Sequence, residues 1–285
     1  MRRTLANQLA RYPVEVGDPD EIWTRHLLRI AQGVRERLAP GVLRRAHHGG
    51  RALWCWIPAL VQRQAEEGRH LVSVVPPDDR EFAHIMEALR EAGTAASVVQ
   101  TGAPVRTLRA LPPGCLDLAS ACWPPGRPRG GAGDGLDEWM GVARRALAPG
   151  GSFVLCASRD GSPEAPLAEL QEVLREEDPR YVVVPVDLPR DEEDLRVRLE
   201  GAGFGAVRVW REGLSLGFPD GASAVRHFLE MGGASVLGQG ADPPAALRRK
   251  ERLAARLAEA YGDLGHVVLT FEAVCGLGIV PGAER

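Results

Sequence analysis

Side chains able to do chemistry are sparse in this chain, and few stand at the spacings that chemistry requires. The pair His47-His48 is followed by Gly49-Gly50 and reads as a loop; neither the HExxH spacing nor a nearby carboxylate pattern of a zinc site accompanies it. The five cysteines, Cys55, Cys115, Cys122, Cys156 and Cys275, include no CxxC pair and lie mostly in apolar runs. They read as buried thiols rather than a disulfide framework or ligand set, and no metal site is expected. Asp78 and Glu81 have the spacing of a capping box, which assigns them to a helix start. No residue stands out as a general base.

Aromatic residues mark two further places. The stretch Leu53-Trp54-Cys55-Trp56-Ile57-Pro58 reads as a strand over Ala52 to Trp56 that stops at a proline. Alternation places Trp54 and Trp56 on one face, either as core or as an apolar pocket floor. Trp123 closes "CLDLASACW", and the loop "PPGRPRGGAGDG" from Pro124 to Gly135 follows it. A loop at the carboxyl end of a strand is where open α/β sheets bind ligands, so this segment is either a lid or a functionless insertion.

The elements that would hold these residues alternate. A helix opens at Asp18, whose carboxylate caps it, with Pro19 in the first turn, and runs to Leu38. After the strand at 52–56 come a helix near Ala59 to Glu67, a strand from His70 to Val75 and a helix through "DREFAHIMEALREAG" that stops at Gly93. Strands at Ala96–Val99, Cys115–Trp123 and Gly151–Ser158 follow, with a helix from Leu136 to Leu147 between the last two. This order implies βαβ units and a parallel, doubly wound sheet.

Composition excludes several classes of function. The 285 residues suffice for one α/β domain with elaborations. Basic and acidic residues number 35 and 38, for a net charge of −3, and the signs are interspersed, which disfavours nucleic acid. Lys250 is the sole lysine, so arginine clusters reflect coding bias and read as solvated helix faces. No apolar run approaches a membrane span and no secretory leader is visible; the expected location is the cytoplasm.

Three fragments carry a resemblance: "LPPGCLDLASACW" (111–123), "WMGVARRALAPGGSFVLCAS" (139–158) and "LRVRLEGAGFGAVRVW" (195–210). Their order and spacing resemble the class I S-adenosylmethionine-dependent methyltransferases. The family pattern has an FDLV-like strand, a helix entering a strand through L-x-PGG, and a helix ending AGF before a further strand. The later stretches "GLSLGFPDGASAVRHFLEMGGASVL" (213–237) and "HVVLTFEAVCGLGIVP" (266–281), with "DGSPEAPLAELQEVL" after the fifth strand, are similar to the malonyl-carrier-protein O-methyltransferases of biotin synthesis.

The resemblance implies a Rossmann-like seven-stranded, mostly parallel α/β sheet with an antiparallel last strand. It divides the chain into an N-terminal helical segment (1–50), a core (51–212), a helical cap (213–262) and a final strand with tail (263–285). It also implies where the cofactor would bind. The family's first strand ends D/E-x-G-x-G-x-G, its second ends in an acid that holds the ribose, and its third is followed by a G-D pair at the adenine. Against that pattern Trp54, Cys55, Trp56 and Pro58 stand at the first corner, Val75 at the second, and Gly102 with Ala103 at the third. Asp117 of "LDL" takes a structural role in the family.

The cofactor site is therefore expected to be degenerate, with no cofactor bound. Trp123, Arg226 and His227 are the substrate-pocket candidates. A non-methylating pseudoenzyme is the leading expectation; its compatible partners are a sister methyltransferase, a carrier protein or an acyl-type small molecule. A divergent active O-methyltransferase using S-adenosylmethionine and a repurposed cofactor-independent enzyme are the alternatives.

Overall fold

A computed structural model describes residues 12–38, 45–50, 53–61, 68–74, 79–91, 96–124, 135–179, 187–229, 243–263 and 266–282. These residues fall into two compact units. The larger comprises the described parts of Thr24–Arg159, Asp187–Glu212 and Val274–Arg285, the smaller those of Met1–Trp23, Asp160–Val186 and Gly213–Ala273.

The chain starts with a short strand β1 (Val14–Val16) and helix α1 (Pro19–Arg37). Asp18 caps α1 as expected: its Oδ1 accepts from the Asp20 amide at 2.9 Å and its carbonyl from the Ile22 amide at 3.0 Å. In the larger unit there follow β2 (Arg45–Gly50), α2 (Leu53–Val61), β3 (Gly68–Val74), α3 (Asp79–Glu91), β4 (Ala96–Gln100), α4 (Pro104–Ala110), β5 (Leu116–Cys122), α5 (Leu136–Ala146) and β6 (Leu147–Ser158). Helix α6 (Glu164–Glu177) belongs to the smaller unit and α7 (Glu192–Gly201) to the larger. Strand β7 (Gly205–Phe218) leads to α8 (Gly221–Phe228), α9 (Pro243–Tyr261), β8 (Gly262–Asp263) and β9 (His266–Ile279).

Strand order in the larger unit is β7-β9-β6-β5-β2-β3-β4, and β2, β3, β4, β5 and β6 pair in parallel. In the smaller unit β1 pairs in parallel with β7, which neighbours β9, and β8 pairs antiparallel with β9. Strand β9 runs against β6, because Val280 bonds to Gly150 and Gly151 at one end while Cys275 Sγ meets Cys156 Sγ at 3.1 Å further along. The expected antiparallel last strand is present. Nine strands stand among the described residues rather than seven, the additions being β1 and β8.

Each unit has its own core. In the larger one Trp139, Met140, Phe153, Leu155, Leu199 and Phe204 pack together, with Phe153 stacked on Phe204 at 5.3 Å. In the smaller one Leu170, Leu174, Phe218, Val225, Leu253 and Leu257 do so. There Arg249, Arg252 and Arg256 of α9 form ion pairs with Glu177, Glu176 and Glu169 of α6.

The structure corrects the expected first strand. Residues 53–61 are helix α2, and the first strand of the parallel sheet is Arg45–Gly50, expected as a loop. An apolar run of nine residues fits a buried helix as well as a buried strand, so periodicity does not separate them. "RAHHGG" carries no β-branched residue, and its polarity is compatible with a central strand because the imidazoles bond within the sheet. Strand Arg45–Gly50 lies inside the segment 1–50, and the segment 213–262 opens on strand, since Gly213–Phe218 continue β7 before the helices.

Candidate functional site

The carboxyl ends of β2, β3, β4 and β5 form one edge of the parallel sheet, and β2 ends in two glycines. A Cβ built on Gly49 would lie 2.6 Å from Trp139 Cζ2 and 2.9 Å from Pro104 Cβ. Gly50 has φ +120°, and a Cβ there would lie 1.7 Å from the Cys122 carbonyl oxygen. Both positions need glycine, and what approaches the bare backbone is the protein's own α4, α5 and β5.

Helix α2 starts at this corner. Its leading amide, Leu53 N–H, donates to Glu81 Oε1 of α3 at 2.9 Å. Helix α5 starts after β5, and its leading amide, Leu136 N–H, donates to Asp187 Oδ2 at 2.7 Å. Asp187 is held in turn by Arg198 at 2.8 Å. Burial disfavours the Arg198 charge, but Asp187, Asp137 and Asp194 outweigh it and keep the guanidinium more firmly protonated than usual. A helix N-terminus attracts anions through its unpaired amides and its dipole; at both of these starts a carboxylate of the chain already provides that charge.

Behind the corner, two buried polar chains cross β2. His47 Nε2 meets Ser73 Oγ at 2.9 Å, and Ser73 Oγ meets Thr101 Oγ1 at 2.6 Å. Trp56 Nε1 donates to Ser120 Oγ at 3.2 Å, Ser120 Oγ meets His48 Nδ1 at 2.8 Å, and His48 Nε2 meets His70 Nδ1 at 3.1 Å. Trp56 uses one lone pair of Ser120, and either neutral tautomer of His48 can bridge Ser120 and His70, donating to one of them and accepting from the other. Burial holds all three imidazoles neutral, lowering His47 to about 3 and His70 to about 4; His48 is also lowered, by burial and then by its histidine neighbours. Burial likewise pushes the Cys55 thiol up to about 12, so it is no nucleophile at neutral pH.

Comparison with solved structures decides the fold. The chain is similar to the YcgJ protein from Bacillus subtilis at 12% identity, with TM-score 0.54, over 90% of this chain and 100% of that one. It is similar to a putative methyltransferase from Bacillus halodurans C-125 at 10% identity, with TM-score 0.53, over 89% and 98% of the two chains. The [4+2]-cyclase SpnF is similar at 16% identity, with TM-score 0.51, over 92% and 84%. The fold is that of the class I methyltransferases. No protein-family model matches the sequence, and no curated protein does either.

Within the methyltransferase fold the expected site residues take these places. Trp54, Cys55, Trp56 and Pro58 lie on α2, not on the first strand; Cys55 and Trp56 are buried, Trp54 and Pro58 half-buried. The first strand is instead Arg45–Gly50, which ends in Gly49-Gly50 and carries the neutral imidazole of His47. Gly102 and Ala103 are exposed ahead of α4, with Ala103 at its N-cap making no side-chain bond. Val75 and most of the Pro124–Gly135 loop lie outside the described residues. Trp123 ends β5 buried, with a left-handed φ of +44° and its amide bonded to Cys156 O at 2.7 Å. Asp117 is structural: its Oδ2 accepts from the Arg45 amide at 2.9 Å, fixing the start of β2.

On α8, Arg226 is exposed and bonded to Ser223, while His227 turns inward. The corner thus gathers Gly49, Gly50, Trp139, Pro104, Cys122 and Glu81; the sequence marks the glycine pair as a loop, Cys122 as a buried thiol and Glu81 as a helix cap, and gives no sign of Trp139 or Pro104. The available signal was Gly49-Gly50 followed, three residues on, by an apolar helix-length run. No group of three or more His, Cys, Asp or Glu among the described residues could hold a metal ion, and no described helix is long and apolar enough to cross a membrane.

Proposed function

We propose that this protein is a methyltransferase-fold pseudoenzyme: it does not hold S-adenosylmethionine at the first corner and acts by recognising a partner or an apolar, acyl-type ligand. The observation that carries the reading is the bond from Leu53 N–H to Glu81, made where Trp139 and Pro104 already cover Gly49. A ligand lying on the β2 backbone would have to displace the protein's own carboxylate, ring and proline. The polar contacts of the family pattern are replaced as well, by neutral His47 at the first strand, Val75 at the second and Ala103 at the third. Each lost hydrogen-bond partner of a bound polar ligand weakens affinity by about 1–3 kcal/mol, so three losses remove several orders of magnitude.

The ligand class rests on the resemblance of residues 213–237 to the substrate region of malonyl-carrier-protein methyltransferases. A carrier protein, a free acyl compound or a sister methyltransferase are the partners this reading allows, and a cytoplasmic location is consistent with it. A second reading, a repurposed enzyme, is favoured by Trp123. A bulky residue held at φ +44° stores strain of order 1–3 kcal/mol, which is characteristic of functional sites, and SpnF illustrates that this fold also accommodates a cyclase.

Thermal melting tests the reading. A ligand stabilises only through its affinity for the native state, so millimolar S-adenosylmethionine should leave Tm unchanged. A rise of several degrees would restore the alternative, a divergent O-methyltransferase.

A further inference from the structure

In the smaller unit, His227 is enclosed by aromatic rings: Trp23 at 5.7 Å and 80°, Phe271 at 5.4 Å and 82°, and Phe218 at 5.4 Å and 46° between ring planes. Phe218 ends β7, Phe271 lies on β9 and Trp23 on the first turns of α1, so three elements converge on this imidazole. His227 itself is 5% exposed. Its Nδ1 lies 3.7 Å from Oδ1 of Asp20, whose side chain is exposed. Its Nε2 is buried and has no hydrogen-bond partner among the described residues.

A buried polar nitrogen without a partner costs free energy comparable to a lost hydrogen bond, and native proteins rarely leave one so. The carboxylate of Asp20 favours the proton on the nearer ring nitrogen, Nδ1, which leaves Nε2 a bare lone pair. A group that donates a hydrogen bond and packs against aromatic rings would complete the site.

We propose that Trp23, Phe218, Phe271 and His227 form a binding subsite for an aromatic group bearing a hydroxyl, with Nε2 accepting the hydroxyl proton. Phe218 and Phe271 are buried whereas Trp23 is only half-buried, so the ligand enters by rotation of the Trp23 ring. Edge-to-face contacts from the surrounding rings suit a planar guest. The inference rests on the reading of the chain as a ligand-recognising protein and gives that ligand a chemistry. It stands apart from the cofactor question, because every residue it uses lies in the smaller unit.

Nitrogen-15 NMR of the imidazoles, with 4-methylphenol as probe and 4-methylanisole as the matched ether lacking the donor, tests it. At pH 7.5 the His227 ring is expected as the Nδ1–H tautomer. The phenol should shift its Nε2 resonance saturably, and the ether should bind about tenfold more weakly. In His227→Phe the ring packing remains and the preference for the phenol should vanish. Should that variant fail to fold, the tautomer and the two titrations of the unsubstituted protein decide. An Nε2–H tautomer, equal binding of phenol and ether, or binding of neither up to about 10 mM overturns the proposal. Failure of the phenol to bind with S-adenosylmethionine also silent defeats this subsite alone, whereas tight S-adenosylmethionine binding defeats the pseudoenzyme reading.

Discussion

Gly49 and Gly50 carry the residue-scale account. Because the Cβ of an alanine at 50 would meet the Cys122 carbonyl and the backbone there has φ +120°, Gly50→Ala should destabilise the protein by about 3 kcal/mol or more in urea unfolding. Gly102 is exposed and a Cβ on it meets nothing within 4 Å, so Gly102→Ala should stay within about 0.5 kcal/mol. Equal costs at the two positions would contradict the packing described here. The glycine pair was visible in the sequence, but its role was not. The contacts that demand it come from Trp139, Pro104 and Cys122, 55 to 90 positions away, and no local pattern encodes them. The same holds for His47 and His48, whose serine partners stand on β3 and β5. Trp56, by contrast, was legible as core: an indole in an apolar run seeks burial and a partner for its N–H, and Ser120 supplies one.

At the scale of elements, the buried imidazoles of β2 and β3 make the protein sensitive to acid. The folded pKa values of His47 and His70 are lowered from about 6.5 to about 3 and about 4 by burial. The unfolded chain therefore takes up these protons first, and stability is complete above pH 6.5 and lost as pH falls toward 4. His26 adds to the loss, being lowered to about 4 by burial and then by Arg29. For His70 alone the effect is of order 3 kcal/mol. Urea midpoints measured from pH 7.5 to 4.5 should fall steeply below 6.5, and a flat profile would show that these histidines are solvated. Helix α2 gives a second prediction. Glu81→Ala removes the acceptor of the Leu53 amide and should cost about 1–2 kcal/mol, as loss of a helix cap does. Elements with local signals were legible: α1 from Asp18 and Pro19, α5 from its apolar periodicity, β6 from the PGG entry, where Gly150 takes φ +80°. The first strand was not, because a helix of nine residues with Pro58 inside it resembles a strand that stops at a proline, while the strand itself spells arginine, histidine and glycine.

For the molecule as a whole, the mostly parallel sheet and its reversed last strand were legible from the order and spacing of the fragments at 111–123, 139–158 and 195–210. Apolar periodicity and turn residues are local signals, which is why the fold was legible in the sequence, whereas the contacts around Gly49 and Gly50 come from residues distant in the chain. Glu81 and Asp187 reach the helix starts across the fold. In the proposed function the protein's own groups hold the ground where the methyltransferase fold places its cofactor. Isothermal titration of the unsubstituted protein with S-adenosylmethionine measures this directly. The account predicts no saturable heat up to millimolar ligand at pH 7.5, whereas a one-site isotherm with a micromolar Kd would contradict it.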